Sequence, residues 1–292
     1  MAIFQKAYRG YDGTLTRPIE RTFVIFRYAL ADVFQSRLFT AFFAVCFLLP
    51  VLLMCGIYLF HNIDLLIQME VDLDELTEID GNFFLLTMQY PQNFLLFVMV
   101  TAIGPTMISP DIRNNAMPLY LSRPVNKASY ILGKLLVLLL LGSLISWVPA
   151  LPLFALQAYL EGNGWLVDNL HLIFASIVSS LVWIVSLSLL AFAVSAYVKW
   201  KAVGRLAFFG ILFFGSVLGG VITEIFGGWA GYMVNVYAGI EVLMRELYDA
   251  DSNLLDWLAD MGVEYALLQF LLLSMISLFV LTRRIRAFQV VS

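Results

Sequence analysis

The chain has 292 residues, of which 61% are hydrophobic and only 13% are charged. A water-soluble domain is typically about half apolar and about a quarter charged, so this composition excludes an ordinary soluble enzyme or binding module. The net charge of −4 is uninformative as a sum, but the positions of the charges along the chain indicate how the chain lies in a membrane.

An amphipathic helix is predicted over residues 18–37. Its apolar positions recur at spacings of four and three residues and form one stripe, which consists of Ile19, Phe23, Phe26, Leu30 and Val33. A basic-flanked stripe of this kind is typical of a helix that lies in the membrane interface. A helix that packs on a soluble partner has the same pattern, and the sequence leaves that alternative open.

Six apolar segments follow, each long enough to cross a bilayer as a helix. We predict spans at about 39–60, 83–108, 131–160, 170–198, 206–226 and 261–281. Pro149 and Pro152 are expected to kink the third span. The sequence therefore predicts an all-α membrane protein in which residues 1–292 form a single transmembrane domain.

Residues 227–260, between the fifth and sixth spans, need a separate interpretation. Aromatic and apolar residues alternate there with acids, and the segment is too polar to cross the membrane as a seventh helix. It is either partly re-entrant or an ordered extracytoplasmic cap. A re-entrant backbone must be buried in protein or line a cavity, so the first alternative would place it near a pathway.

The basic residues predict the orientation of the spans. If the N-terminus, the 109–130 and 199–205 loops and the C-terminus lie on one side, that side holds 16 of the 17 lysines and arginines. Of the 21 acidic residues, 17 then lie on the opposite side. Loops rich in Lys and Arg stay in the cytoplasm, so we predict a multi-pass protein of the cytoplasmic (inner) membrane with both termini inside.

Catalytic signatures are absent from the sequence. Gly133-Lys134 is followed by Leu135 rather than Ser or Thr and lacks the upstream glycine of a phosphate-binding loop. There is neither a His-Glu-x-x-His zinc motif nor a Gly-x-Ser-x-Gly nucleophile elbow. The two histidines lie near span ends and do not supply the three or four ligands of a zinc site. We predict a chain that is not an enzyme and has no catalytic, cofactor-binding or metal site.

Few ionisable residues fall within the spans. Lys134, Glu224 and Glu264 lie near span ends, where contact with headgroups explains them and Lys134 can snorkel. A proton or ion pathway would require charges deeper in the membrane. The halves of the chain also show no convincing repeat, so a secondary transporter is disfavoured.

Small residues mark possible helix contacts. Gly215 and Gly219 form a Gly-x-x-x-Gly motif in the fifth span, which allows close approach of a helix of the same chain or of another subunit. Six serines of the fourth span are predicted to form packing hydrogen bonds or to line a polar pathway. They are Ser176, Ser179, Ser180, Ser186, Ser188 and Ser195.

The 109–130 loop carries a family resemblance. Asp111 follows the second span, the loop centre reads Leu119-Tyr-Leu-Ser-Arg-Pro-Val125, and Gly133-Lys134 opens the third span. This arrangement resembles the first cytoplasmic loop of ABC-2 type permeases, the membrane subunits of one class of ABC exporter. Asn115-Ala-Met-Pro118 departs from the Gly-Thr-Leu stretch that is usual there.

The resemblance implies a mechanical role for this loop. In the family it docks on a separate ATP-binding subunit, a second permease subunit completes a homo- or heterodimer, and ATP is bound only by the partner. Prolines stiffen the loop, the Leu-Tyr-Leu run offers apolar contact area, and basic residues offer charge. The coupling residues expected from the resemblance are Asp111, Arg113, Leu119, Tyr120, Leu121, Arg123, Pro124 and Lys127.

Two readings of function remain. The first is the permease of an ATP-driven exporter, with an ABC ATPase, a second permease and lipid as partners and no nucleic acid. The second is a non-transporting membrane anchor or scaffold of an ATPase-containing assembly. A solvated basic loop that only enforces topology explains the charges of the 109–130 loop but not its apolar run. Substrate identity is not encoded in a recognisable motif; the shortage of buried charge favours a lipid, a hydrophobic peptide or a drug-like molecule over a small ion.

Overall fold

The computed structural model describes residues 17–62, 79–116, 126–227, 230–250 and 262–287. Within these ranges all regular secondary structure is helical. Six helical stretches are long and apolar enough to cross a membrane, at Arg37–Phe60, Gly81–Arg113, Lys127–Glu161, Leu170–Tyr197, Lys201–Phe226 and Val263–Ile285. The predicted fold class, an all-α membrane protein with six spans, is confirmed.

The N-terminal helix α1 (Pro18–Phe34) begins where the sequence predicts. Proline occupies its first turn, and the Glu20 carboxylate accepts a hydrogen bond from the Arg17 N–H at 3.1 Å. The helix packs along the third span, where an added Cβ at Gly133 would lie 2.9 Å from the Ile25 side chain. Its apolar stripe is divided by this contact, because Phe26, Leu30 and Val33 pack against the core while Ile19 and Phe23 stay exposed.

The first two spans are built from several short helices. The first consists of α2 (Arg37–Val45) and α3 (Leu48–Phe60). The second comprises α4 (Gly81–Phe83), a π-helix (Phe84–Gln89), α5 (Tyr90–Ile103), a 3₁₀ turn (Gly104–Thr106) and α6 (Ser109–Arg113). Two prolines explain the breaks in the second span. Pro91 cannot donate to the carbonyl of Thr87 inside the π-helix, and Pro105 occupies the 3₁₀ turn.

The third span is divided into α7 (Lys127–Ile145) and α8 (Trp147–Glu161) by Ser146, whose φ and ψ are −94° and −90°. Pro149 lacks the N–H that would bond to the Ile145 carbonyl, which explains the break at this point. The kink predicted from the prolines is therefore present and lies one turn before Pro149. The span also begins at Lys127, so the last residues of the predicted 109–130 loop are helical.

The remaining helices are α9 (Asn163–Asp168), α10 (Leu170–Tyr197), α11 (Lys201–Phe226), α12 (Val236–Leu247) and α13 (Val263–Ala287). Helices α10, α11 and α13 contain the fourth, fifth and sixth spans. In the most apolar stretch of each span, 61% of the residues of the second and 72% of the fourth are buried, against 17% of the first and 17% of the fifth. The second and fourth spans therefore form the centre, and the first and fifth form exposed flanks.

Helix α12 packs into the bundle between the fifth and sixth spans. At its N-terminal end, the Tyr237 ring contacts Phe97 of the second span and Trp183 of the fourth, each with 5.7 Å between ring centroids. Just after its C-terminal end, the Tyr248 hydroxyl donates to the Gln89 amide oxygen at 3.0 Å. The described part of the 227–260 segment is thus joined to the second and fourth spans by these contacts; residues 228–229 and 251–260 lie outside the described residues.

Candidate functional site

A buried ion pair lies where the second and third spans meet the 109–130 loop. The Lys134 ammonium donates to Asp111 Oδ2 and to the Met107 carbonyl, and its side chain is only 8% exposed. The Tyr130 hydroxyl donates to the same Asp111 oxygen at 2.6 Å. A buried ammonium is tolerated only when it is paired and hydrogen-bonded, so these contacts fix α6 to the third span. The snorkelling expected for Lys134 is wrong, because Asp111 provides a partner inside the protein.

Ser195 of the fourth span supports the same short helix. Its hydroxyl accepts hydrogen bonds from the backbone N–H groups of Ile108 and Ser109, at 3.0 and 2.9 Å. Those donors lie at the start of α6, where a helix has no partners of its own for its first N–H groups. Helix α6 is therefore held by the third span on one side and by the fourth on the other.

Helix α6 ends in a left-handed cap. Asn115 has φ of 52°, and the Ala116 N–H bonds to the Asp111 carbonyl at 2.8 Å. This left-handed cap is a common way to end a helix, and Asn is one of the few residues besides Gly that adopts it readily. The tertiary anchor thus lies directly beside the point where the loop departs.

The predicted coupling residues divide into two groups. Asp111 belongs to the ion pair, Arg113 is exposed at the last turn of α6, and Lys127 is the first residue of the third span. The remaining five lie outside the described residues: Leu119, Tyr120, Leu121, Arg123 and Pro124.

Sequence reasoning missed Lys134, Tyr130 and Ser195 as partners of this region. The available signal was Asp111 itself, an acid among basic residues that faces the Lys of the Gly-Lys pair.

A groove of about 780 Å³ opens beside this anchor, between the exposed first and fifth spans. Its apolar wall consists of aromatic rings from the first, second and fifth spans: Phe39, Phe42, Phe94, Phe97 and Phe209. Its charged residues are Asp32, Asp111, Lys134, Lys201 and Arg205. The Arg205 Nε donates to the Ala102 carbonyl at 2.9 Å, which ties the fifth span to the second at this end. Such a surface is chemically complementary to an amphiphilic molecule, whose apolar part would contact the aromatic rings and whose polar part would contact the charged side chains.

A second cavity of about 210 Å³ shares Phe94 and Phe97 with the groove. It is lined by residues of the second and fourth spans and of α12. The two cavities therefore lie along one face of the second span. Sequence reasoning placed no cavity here, because its walls come from helices far apart in the chain.

An amide and hydroxyl network stabilises the helices around the second cavity. Gln89 Nε2 donates to Ser180 Oγ at 3.1 Å, and its Oε1 accepts from Tyr248. Asn93 Nδ2 contacts the sulfur of Met244 at 2.9 Å. Burial raises the pKa of Tyr248, which keeps this hydroxyl neutral and able to donate. Ser180 of the fourth span thus contributes a hydrogen bond between helices.

The Gly-x-x-x-Gly motif of the fifth span contacts the same chain. A Cβ added at Gly219 would lie 2.6 Å from the Gly231 carbonyl oxygen, and one at Gly215 would lie 3.2 Å from the Val234 carbonyl oxygen. The small residues therefore allow close approach of the turn that precedes α12.

Among the described residues no group of three or more metal-ligating side chains occurs, and His61 instead contacts Glu161 at 2.9 Å.

Six apolar helices and a groove that contains charged residues define a polytopic membrane protein. A family model described as "ABC-2 family transporter protein" matches residues 23–258, which is most of the chain. The chain belongs to this family and is a membrane permease subunit of an ABC transporter. No curated protein matches it.

Proposed function

We propose that this chain is the permease half of an exporter of the cytoplasmic membrane and that a separate ATPase subunit docks on the 109–130 loop. The observation that carries the proposal is the anchorage of α6. Asp111, Lys134 and Ser195 join the base of the loop to the second, third and fourth spans, two of which form the centre of the bundle. A force applied to the loop therefore reaches the centre of the bundle through buried bonds.

The direction in which the chain lies follows from its charges. Lys127, Lys201 and Arg283 belong to the end of the bundle that carries the anchored loop, whereas Asp80, Glu161 and others lie at the opposite end. Because Lys and Arg are retained in the cytoplasm, the loop and both termini face the ATP supply. The groove then opens on the cytoplasmic side, as an exporter requires for loading its substrate.

The exposed flanks support a dimer in which a second permease subunit faces the groove. The first and fifth spans are the least buried, and together they border the groove. A second copy, or a related permease, set against these spans would enclose the groove as a shared chamber. Closure of two ATPase subunits would then change the distance between the two permeases.

The coupling assignment is tested by introducing a charge into the apolar run of the loop. Leu121→Asp or Tyr120→Asp should abolish co-purification of the ATP-binding subunit, identified by mass spectrometry, with the tagged chain. Tyr159→Asp, the same kind of change at an exposed aromatic residue near the opposite end, should leave co-purification intact. Normal ATPase binding and ATP hydrolysis in the loop variants would contradict the assignment.

Orientation and direction need separate measurements. A cysteine at Lys199 should react with an impermeant maleimide only in inside-out vesicles, and one at Asp168 only in right-side-out vesicles, in a background without Cys46 and Cys55. ATP should then drive solute accumulation, profiled by mass spectrometry, in inside-out vesicles. Accumulation in right-side-out vesicles loaded with ATP would indicate import. A complex that hydrolyses ATP without moving any solute would favour the membrane-scaffold role.

A further inference from the structure

The cavity of about 210 Å³ between the second span, the fourth span and α12 has an unusual lining for its size. Five of its residues are aromatic: Tyr90, Phe94, Phe97, Trp183 and Tyr237. The Tyr237 ring packs against two others of this group, with 5.7 Å between its centroid and those of Phe97 and Trp183. Ring faces carry negative potential, and a cage of several rings attracts an organic cation.

One carboxylate completes the lining. Glu241 lies one turn after Tyr237 on α12 and faces the same cavity. Within the described part of the chain its side chain makes no hydrogen bond and no ion pair. Burial raises the pKa of the Glu241 carboxyl to about 7. The positive charge of Arg245, one turn further along α12 and outside the cavity lining, opposes this rise. A half-buried carboxylate without a direct hydrogen bond or ion pair is unfavourable, and a bound cation would lower that penalty.

Other ligand classes fit this lining less well. An anion would be repelled by the carboxylate and by the ring faces. A calcium or magnesium ion requires six or more oxygen ligands. Among the described residues that line the cavity, Glu241 is the one carboxylate, and the Asn93 amide already contacts Met244 and Gln89. A neutral apolar ligand explains the rings but leaves the carboxylate unpaired.

We propose that this cavity binds the ammonium group of an organic cation, with the aromatic rings around the cationic head and Glu241 as its counter-ion. The cavity shares Phe94 and Phe97 with the larger groove, so the apolar remainder of such a ligand has a continuous aromatic surface to follow. That the cation is a transported substrate rests on the proposed permease function, but its binding to this chain does not.

The test is a binding measurement on the isolated chain in nanodiscs of phosphatidylglycerol, a lipid without an ammonium group. Choline is titrated by calorimetry against 3,3-dimethyl-1-butanol, its neutral isostere, with empty nanodiscs as the blank. We expect saturable choline binding at least about tenfold tighter than that of the neutral isostere. Equal affinity for the two probes, or no saturable choline binding, would overturn the proposal.

Variants then identify the counter-ion. Glu241→Gln should weaken choline binding about tenfold or more while leaving the neutral isostere unaffected, which also shows that the cavity is folded. Glu246→Gln, an exposed acid on the same helix outside the cavity lining, is the matched control and should bind choline normally. Tyr237→Leu should weaken choline binding roughly tenfold as well. An unchanged affinity in Glu241→Gln would refute the assignment.

The pH profile provides an independent check. Only the ionised carboxylate attracts the cation, so choline affinity should rise as the pH increases from about 6 to about 8, through the raised pKa of Glu241. The other ionisable groups near this carboxylate are Arg245 on α12 and the two tyrosines Tyr90 and Tyr237. Arginine and tyrosine side chains ordinarily titrate at pH values above this range. Glu241→Gln should abolish the dependence, and a profile that persists in this variant would assign it to another group. The binding measurement uses no ATPase and so does not depend on transport. If choline binds but is not transported when the ATPase is added, that result contradicts the proposed permease function and not the binding site.

Discussion

Removing the Asp111 charge tests the anchorage of the 109–130 loop most directly. In Asp111→Asn, the Lys134 side chain, only 8% exposed, would lose its carboxylate partner and keep the Met107 carbonyl as an acceptor. Loss of one partner from a buried pair typically lowers the free energy of unfolding by about 3–5 kcal/mol. The Asp111 side chain is 18% exposed, so solvent already screens part of the pair, and we expect a loss of about 3 kcal/mol.

The assay is unfolding of the purified chain in mixed micelles by titration with dodecyl sulfate, followed by circular dichroism. Glu161→Gln is the matched control, because it removes the carboxylate of the His61–Glu161 pair, in which Glu161 is 49% exposed. Such an exposed pair contributes less than about 1 kcal/mol. The double variant Asp111→Asn with Lys134→Met should recover most of the loss, because it also removes the unpaired charge.

Two results would refute this reasoning. One is an Asp111→Asn variant as stable as Glu161→Gln, which would show that the ion pair is not buried. The other is a double variant whose loss equals the sum of the two single losses, which would show that Asp111 and Lys134 are not coupled. If the double variant is stable, its ATP-driven transport reports separately on whether the pair also transmits force.

Three further changes test other contacts. Gly219→Ala should lower the free energy of unfolding by about 1–3 kcal/mol, because its Cβ would meet the turn before α12, whereas Gly220→Ala, with no atom within 4 Å of its Cβ, should be neutral in the same titration. Ser195→Ala should lose about 2 kcal/mol or more by leaving two buried N–H groups unpaired, and Ser188→Ala, whose hydroxyl has no hydrogen-bond partner among the described residues, is its control. Tyr248→Phe should lose about 1 kcal/mol by removing a donor to the amide network of the second span. Equal losses in a variant and its control, or an unchanged Tyr248→Phe, would count against the corresponding contact.

The spans could be predicted from sequence because length and hydropathy are local properties. Their bounds at the basic end were placed several residues too late, at 131 and 206 instead of Lys127 and Lys201. Polar residues in the first turns of these helices end the apolar run but not the helix. Hydropathy indicates which residues contact lipid, whereas the backbone hydrogen bonds of the helix continue past the end of the apolar run.

The candidate sites were only partly accessible from sequence. Asp111 was identified through the loop motif, but its pairing with Lys134 depends on how the second and third spans pack. The second cavity unites Tyr90, Trp183 and Tyr237, which have no shared periodicity in the sequence. For Gly219, the sequence left open whether the contact is made within the chain or with another subunit, because a face of small residues does not specify what packs against it.

The π-helix at Phe84–Gln89 gives the second span a point of independent adjustment. A π-turn holds one more residue than the α-turn it replaces, so deleting a residue there would convert it to α-helix and rotate the preceding part of the span by about 100°. Phe84, whose ring stacks on that of Phe154, would then lose its register, whereas the cavity residues Tyr90 to Phe97 and the anchor at Asp111 lie after the π-helix and would keep theirs. The first turns of the second span are thus separable, by a single-residue insertion or deletion, from the part of the span that lines both cavities and carries the anchor.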